Sequence, residues 1–303
     1  MTGVELRHIR YLLAVADEGN FTRAAEELRI SQPTLSHQIK QLEKHLGAQL
    51  IDRSGRNIRL TDAGAVYVEQ VRHALRDVQS ARRALLDVKD LSRGHLRLGI
   101  TPTFTTYLMG PLIGKLHELH PGLTVTITED SQERIESGLL SDELDLGIAF
   151  AQVQHLSGVE ATGMYTENLG LVASKEHAAA LPHPLPAAAL GKHSLALLTG
   201  DFATRNYIDS CLAKLGISPR ISVKANSLQA LTQIVEHTSL ATVLPDAVAE
   251  EGRLLAPVPL DPPFPARTVA LLRRQDAYRS AASQAFVELL ELHITQRGYQ
   301  PAV

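Results

Sequence analysis

The segment from residue 20 to residue 42 constrains the fold most, because it is typical of two short helices joined by a tight turn. Asn20 is an N-cap type of residue at the start of the first helical pattern. Ala24, Ala25 and Leu28 then recur at helical spacing on one face, where small side chains leave room for a close crossing. The segment therefore predicts two crossed helices.

The second helix has one apolar face. Ser31 is placed as its N-cap, and Pro33 falls in the first turn, where a missing backbone N–H costs nothing. Leu35, Ile39 and Leu42 recur at helical spacing, which predicts that they face a core.

The opposite face of the second helix carries Gln32, Thr34, Ser36, His37 and Lys40. Glutamine can pair with adenine, hydroxyls can bond base edges, and lysine can neutralise a phosphate. These residues predict a helix that reads a DNA groove. Because polar helix faces are common, an ordinary helical hairpin with a solvated face is the alternative.

Two short strand-like runs follow, at residues 50–53 and 57–60, around a turn that contains Gly55. This arrangement is typical of a wing. Its arginines are expected to reach the phosphate backbone or a minor groove, and they are Arg53, Arg56 and Arg59. The wing favours a winged helix-turn-helix over a plain hairpin.

Composition sets limits on the rest of the chain. With 303 residues, the chain exceeds one comfortable core and indicates two or three domains. Residues 1–93 carry 15 Lys and Arg against 12 Asp and Glu, and the remainder carries 15 against 21. Because the overall field is weak, DNA affinity must come from locally placed basic residues and from dimerisation.

Cys211 is the only cysteine, so an intrachain disulfide is excluded. A lone helix cysteine is more often a packed residue than a redox sensor. No stretch has the apolar length of a membrane span, so a cytoplasmic protein is expected, without a membrane partner.

Residues 61–90 form a long pattern without proline. Apolar residues recur there with alternating spacings of three and four, at Val68, Val71, Leu75, Val78 and Leu85. A narrow apolar stripe of this kind favours a dimerising linker helix. A helix lying against its own domain is the alternative.

Strands and helices alternate after residue 94, which predicts an α/β fold class with parallel sheets. Expected strands cover residues 95–100, 123–129, 145–150, 169–173, 194–198, 221–225, 240–244 and 268–273. Expected helices cover residues 108–120, 132–141, 204–215, 228–237 and 280–296. The last strand is expected to return to the first sheet, which makes two lobes with a cleft between them.

The predicted domains are therefore a winged helix-turn-helix at residues 1–60, a linker helix at 61–90 and a two-lobed domain at 94–303. Lobe I is assigned residues 94–163 and 267–303, and lobe II residues 164–266.

Three strand-to-helix turns are expected to meet at this cleft, at residues 101–106, 129–132 and 201–205. They are rich in hydroxyls and precede helix N-termini, where free N–H groups attract anions. A plain N-cap is the alternative for each hydroxyl taken alone. Their convergence predicts a pocket for a small anion.

Signatures of catalysis are missing from the sequence. It has no phosphate-binding glycine loop, no nucleophile elbow and no His-Glu-x-x-His motif. His117 and His120 lack further ligands, so no metal, no cofactor and no catalytic residue is expected. An enzyme that uses the cleft, and a solute-binding module without DNA readout, are the other hypotheses.

The chain resembles the LysR-type transcriptional regulators over its full length. The motifs that carry the resemblance are residues 21–28, 31–36, 50–53 and 60–64. The resemblance implies a winged helix-turn-helix, a dimerising linker helix and a two-lobed effector domain like those of periplasmic binding proteins. It also implies a homotetramer, a dimer of dimers, that binds double-stranded promoter DNA and recruits RNA polymerase as an activator.

The resemblance further implies two sets of site residues. The expected DNA-binding residues are Thr22, Arg23, Ser31, Gln32, Pro33, Thr34, Ser36, His37, Lys40, Arg53, Arg56 and Arg59. The expected effector-binding residues are Thr101, Thr103, Ser131, Phe150, Phe202 and Thr204.

Within the family, the effector domain resembles that of cyanate-responsive regulators, at residues 101–105, 142–151, 202–205, 225–227 and 238–240. This similarity implies cyanate as the inducer. A small linear anion agrees with the hydroxyls and helix N-termini expected at the cleft. Another small organic acid is the alternative inducer.

Overall fold

A computed structural model describes residues 4–53, 58–87, 94–151, 154–252 and 254–302. The chain divides into two compact units, Met1–Arg82 and Arg83–Val303.

The first unit contains four helices and a small antiparallel strand pair within the described residues. Its elements are α1 (Leu6–Glu18), α2 (Phe21–Glu27), α3 (Gln32–Leu46), β1 (Ile51–Asp52), β2 (Arg59–Leu60) and α4 (Asp62–Asp87). Their apolar faces meet in one core that includes Leu12, Phe21, Ala24, Leu35 and Ile39. The crossed helices and the strand pair predicted from the sequence are both present.

Helix α4 divides its apolar residues between two environments. Val68 and Val71 are buried, and Val68 belongs to the core of the first unit. Val78 lies further along the helix and is 52% exposed. The beginning of the predicted apolar stripe therefore packs against its own domain, as the alternative interpretation expected. Val78, further along the stripe, remains exposed. Leu85 lies outside the residues whose side chains are described.

The second unit is a two-lobed α/β structure. Its strands are β3 (His95–Ile100), β4 (Thr124–Glu129), β5 (Leu146–Phe150), β6 (Val159–Glu167), β7 (Leu169–Ser174), β8 (Leu185–Pro186), β9 (Ser194–Leu198), β10 (Arg220–Ala225), β11 (Thr242–Pro245), β12 (Leu255–Val258), β13 (Leu260–Asp261) and β14 (Arg267–Arg274).

The helices of this unit connect those strands. They are α5 (Pro102–Phe104), α6 (Gly110–Leu119), α7 (Gln132–Leu140), α8 (Lys175–Ala179), α9 (Ala203–Lys214), α10 (Leu228–Glu236), α11 (Asp246–Glu251) and α12 (Ala281–Arg297). A π-helical turn at Thr105–Met109 joins α5 to α6, and a 3-10 helix covers Ala187–Lys192.

Lobe I is built on a five-stranded sheet with the order β4-β3-β5-β14-β6. Strand β3 is parallel to β4 and β5, whereas β14 is antiparallel to both β5 and β6. The final strand thus returns to the first sheet, as the sequence predicted.

Lobe II is built on the strands between β7 and β13. Its sheets have the orders β11-β7-β12, β10-β9 and β13-β8, and a bridge between Leu195 and Ala241 joins the first two. The chain crosses between the lobes twice, after β6 ends at Glu167 and before β14 begins at Arg267.

The elements predicted from the sequence omit β6, β8, β12, β13, α8 and α11 and misplace the start of one helix. No strand was predicted between residues 150 and 169, but β6 occupies Val159–Glu167. Its side chains do not alternate strictly in burial, and its register with β14 shifts at a bulge, which hides the period-two pattern. The helix expected from residue 108 instead begins at Pro102, so Thr103 and Thr106 lie inside helical turns.

Candidate DNA-binding face and effector cavity

Side-chain caps set the positions of α2 and α3. The Asn20 carboxamide oxygen accepts the Thr22 N–H at 2.8 Å, and the Ser31 hydroxyl accepts the Thr34 N–H at 3.3 Å. Arg29 connects the two helices with φ of 54°, a left-handed conformation that reverses the chain in little space. The caps and the turn make the helix-turn-helix geometry a local property of this segment.

Helix α3 presents a polar outer face. Leu35, Ile39 and Leu42 are 0% exposed, so the inner face is fixed in the core. The outer side chains are exposed apart from the half-buried Ser36, and they are Ser31, Gln32, Pro33, Thr34, His37 and Lys40. Thr22 and Arg23 on α2 are exposed as well. This face is free to meet a groove.

The strand pair β1–β2 gives the wing its base. Ile51 pairs with Leu60 and Asp52 with Arg59, and the Arg59 side chain is exposed. Arg56 lies outside the described residues. Arg53 turns toward α3, because its Nη2 lies 2.9 Å from Glu43 Oε2 and its guanidinium lies over the Phe21 ring. Arg53 is therefore engaged inside the domain, which does not favour a contact with phosphate.

A cavity of about 940 Å³ opens at the carboxyl ends of the lobe I strands and faces lobe II. All six residues expected to bind an effector line it, namely Thr101, Thr103, Ser131, Phe150, Phe202 and Thr204. The three strand-to-helix turns that were expected to converge do converge. The cavity has the size of a small-molecule site.

Three helices of eight or more residues start at the cavity. Ser131 caps α7, Thr204 lies in the first turn of α9, and Ser227 caps α10. Helix N-termini carry free N–H groups and a positive field, which favours an anion. The helix that starts at Leu228 was predicted from the sequence, but its position at the cavity was not. Asn226 and Ser227 directly before its apolar run are a capping signal.

The threonine hydroxyls in the cavity differ in their hydrogen bonds. Thr101 donates to the carbonyl of Ile148 at 3.4 Å, so its hydrogen is already used. Thr103 is 1% exposed and its hydroxyl has no partner among the described residues. A buried hydroxyl without a partner is costly, and a ligand in the cavity would satisfy it.

Arg267 lies behind the cavity lining and contacts two of its residues, Thr204 and Phe150, and it was not singled out from the sequence. Arg267 is 2% exposed, and its Nε donates to Glu167 Oε1 at 2.5 Å. Its Nη2 donates to Thr204 Oγ1 at 3.1 Å, and its guanidinium lies 3.9 Å from the Phe150 ring centroid. The sequence does not distinguish Arg267 from an ordinary exposed arginine at the end of a strand, because its partners are distant along the chain.

Two tyrosines complete the environment of Glu167. Tyr107 donates to Glu167 Oε2 at 2.8 Å, and the hydroxyls of Tyr107 and Tyr165 lie 2.8 Å apart. Burial, together with the Glu167 carboxylate, holds the pKa of both tyrosines well above the ordinary value. Both phenols therefore stay protonated, and the Tyr107 hydroxyl is available as a donor to the carboxylate.

The rim of the cavity is acidic. Its carboxylates are Glu129, Asp130, Glu133 and Asp201, whereas Arg134 is the only charged basic residue of the lining. Arg134 pairs loosely with Asp130, at 3.7 Å. The attraction for an anion thus lies at the helix starts and the buried hydroxyls, and the rim disfavours a highly charged anion.

Comparison with known families decides what the two units are. Residues 6–65 match the model of the bacterial regulatory helix-turn-helix proteins of the lysR family, and residues 89–294 match the model of the LysR substrate binding domain. The chain belongs to the LysR family. It is a DNA-binding transcriptional regulator with an effector-type domain, and not an enzyme.

Relatives of this LysR-family chain cover almost all of its length. A hydrogen peroxide-inducible genes activator from Dickeya chrysanthemi is 29% identical over 99% of this chain and 100% of its own. A probable RuBisCO transcriptional regulator from Trichormus variabilis is 32% identical over 93% of this chain and 86% of its own.

Solved structures support the same fold for this LysR-family regulator. Full-length OxyR from Pseudomonas aeruginosa, in a cysteine-to-aspartate variant, has a TM-score of 0.70 and 26% identity, with 96% of each chain covered. CbnR in complex with its target DNA has a TM-score of 0.55 and 23% identity, with 95% of this chain and 99% of that chain covered, and it supports the fold alone.

The single thiol of this LysR-family regulator lies away from the cavity lining. Cys211 is 4% exposed on α9, and burial raises its pKa. A buried thiol with a raised pKa forms little of the reactive thiolate. Reactivity toward oxidants is therefore disfavoured at Cys211.

In the described part of the chain, no group of three or more His, Cys, Asp or Glu side chains could hold a metal ion. No helix there is long and apolar enough to cross a membrane.

Proposed function

We propose that this regulator reads promoter DNA with α3 and activates transcription when a small anion occupies the cavity of the second unit. One observation carries the inducer proposal: a buried, unpartnered Thr103 hydroxyl lies in a cavity at which three helices begin. The exposed polar face of α3 supports the DNA proposal. The expected DNA-binding set is kept without Arg53, since that guanidinium is paired with Glu43.

Changing Gln32 tests the role of α3. Gln32→Ala should weaken binding to the specific operator by about 1 to 3 kcal/mol, because a bidentate contact to a base edge is lost. Binding to random DNA should change little. Fluorescence anisotropy with labelled operator and scrambled duplexes, measured at several salt concentrations, gives both affinities.

Lys40→Ala is the matched control for Gln32→Ala. Loss of a phosphate contact should weaken specific and random DNA alike and should lower the salt slope by about 1. An equal loss on both duplexes for Gln32→Ala would contradict the assignment of α3 as the recognition helix.

Cyanate is the inducer that we propose. The resemblance of the effector domain implies it, and its single charge suits a site made of hydroxyls and helix starts beneath an acidic rim. The relatives named above refer to hydrogen peroxide and to RuBisCO in their names. Peroxide is a weaker candidate for this chain, because its one thiol is buried, does not line the cavity and has a raised pKa. Another small organic acid is the second candidate.

Cyanate should raise the melting temperature of the full chain. At a hundredfold excess over Kd, binding contributes about 2.7 kcal/mol, which is roughly 5 to 10 °C for a domain of this size. Thr103→Val should abolish most of this shift, since it replaces the free hydroxyl by a methyl group of similar shape. Differential scanning calorimetry measures both melting temperatures.

Thr124→Val is the control for Thr103→Val, because Thr124 is exposed on the edge strand β4. It should leave the cyanate shift intact. If cyanate gave no shift while an aromatic acid gave a clear one, cyanate would be the wrong inducer and the cavity would serve another acid.

Assembly is proposed as a dimer of dimers. The exposed Val78 on α4 offers an apolar contact beyond the part of the helix that packs on its own domain. A dimer places two recognition helices on one face of DNA, which compensates for the weak overall charge. Sedimentation equilibrium should give the mass of four chains.

We further propose that this assembly recruits RNA polymerase. In vitro transcription with and without cyanate tests this proposal.

A further inference from the structure

Arg267 lies where the chain returns from lobe II to lobe I. It is the first residue of β14, and its register partner is Glu167, the last residue of β6. Glu167 is therefore the last residue of the lobe I sheet before the first crossover, and Arg267 is the first residue of that sheet after the second crossover. The ion pair between them joins the crossovers at one point.

From this place Arg267 reaches into lobe II. Its Nη2 donates to the hydroxyl oxygen of Thr204, in the first turn of α9, at 3.1 Å. A guanidinium has donors and no acceptor, so the Thr204 oxygen must accept this bond. The hydroxyl hydrogen of Thr204 is then left to donate elsewhere. Since Thr204 is 2% exposed and lines the cavity, the cavity is where an acceptor can lie.

We propose that Arg267 is a positioning residue for the inducer, acting through Thr204 by presenting its hydroxyl as a donor to a bound anion. The inference rests on the proposed anion site. An anion that accepts from Thr204 makes its oxygen a better acceptor for Arg267, because hydrogen bonds in a chain polarise one another. Ligand binding thereby tightens the link between the lobe I strand β14 and the lobe II helix α9.

The charge of Arg267 does not by itself attract the anion. Glu167 Oε1 lies 2.5 Å from the Arg267 Nε and compensates its charge, and Arg267 is not among the residues that line the cavity. The orientation of the Thr204 hydroxyl is what Arg267 adds. A purely structural ion pair would instead affect every ligand and every variant at Thr204 alike.

A double-mutant cycle separates these two roles. Arg267→Lys keeps a cation for Glu167 but loses the planar fork that reaches Glu167 and Thr204 together. Its Kd for cyanate should rise about tenfold, and Thr204→Val should have an effect of similar size. In the Thr204→Val background, Arg267→Lys should have almost no further effect. Thr204→Ser, which keeps the hydroxyl, should bind within about twofold of wild type.

The experiment uses isothermal titration calorimetry of the full chain with cyanate, nitrate and formate. Arg220→Lys is the control, because Arg220 is an exposed residue at the start of β10 and should leave every Kd unchanged. Melting curves of each variant report that the fold is intact.

The outcomes separate the inference from the proposed function. A tenfold rise in Kd for Arg267→Lys in both Thr204 backgrounds would overturn the inference and leave the anion site standing. If wild type bound none of the three anions, the proposed site would fall and the inference with it. Loss of the Arg267→Lys effect in the Thr204→Val background alone supports the inference.

Discussion

Gly64→Ala should unfold the DNA-binding unit well below the temperature at which the wild-type unit melts. A Cβ at residue 64 would lie 2.0 Å from the backbone oxygen of Leu50 and 2.8 Å from its carbonyl carbon. Both atoms belong to the backbone of a residue that is 1% exposed, so the strain has no flexible group to absorb it. We expect a loss of about 3 kcal/mol or more, together with loss of operator binding. Calorimetry and fluorescence anisotropy measure the two effects.

Gly114→Ala is the matched control. Gly114 lies in α6, and a Cβ there would meet nothing within 4 Å. Alanine should stabilise that helix by about 0.5 to 1 kcal/mol. If Gly64→Ala melted within a degree or two of wild type, α4 would not approach the chain at Leu50 as closely as the structure has it.

Arg267→Met should strongly destabilise the second unit. It leaves the carboxylate of Glu167, which is 7% exposed, without its cation. Removing one partner of a buried pair costs about 3 to 5 kcal/mol, because the other charge remains buried without compensation. Urea unfolding followed by circular dichroism measures this loss.

Two further variants show whether the cost comes from the unpaired charge. The double variant Arg267→Met with Glu167→Gln should recover most of the lost stability, because no buried charge is left. Arg297→Met breaks an ion pair with Glu251 in which both side chains are 40% exposed, and it should cost less than about 1 kcal/mol. Equal costs for Arg267→Met and Arg297→Met would contradict the account of the buried pair.

The DNA-binding unit could be predicted in detail because its signals are local. The caps at Asn20 and Ser31 lie within three residues of the N–H groups that they bind. The alternation of buried and exposed positions along α3 follows from helix geometry alone. The pairing of Arg53 with Glu43 was not predicted, because the two residues lie ten positions apart on either side of a loop.

The cavity was predicted in outline for a similar reason. Hydroxyl residues directly before apolar helical runs mark the turns between strands and helices. The lining residues Thr101, Ser131 and Thr204 could therefore be predicted from the order of strands and helices along the chain. Arg267 could not be found in this way, since its contact with Glu167 spans 100 residues and its contact with Thr204 spans 63. Contacts at such separations depend on tertiary structure.

The position of β14 also affects the order in which the two lobes can fold during translation. This strand lies between β5 and β6 in the lobe I sheet, yet it is the last strand of the sheet to leave the ribosome. While residues 169–261 emerge, β5 and β6 have no common neighbour to pair with. Lobe II can therefore close during translation before lobe I, and the unfinished sheet edge is the surface that a nascent-chain chaperone would have to protect.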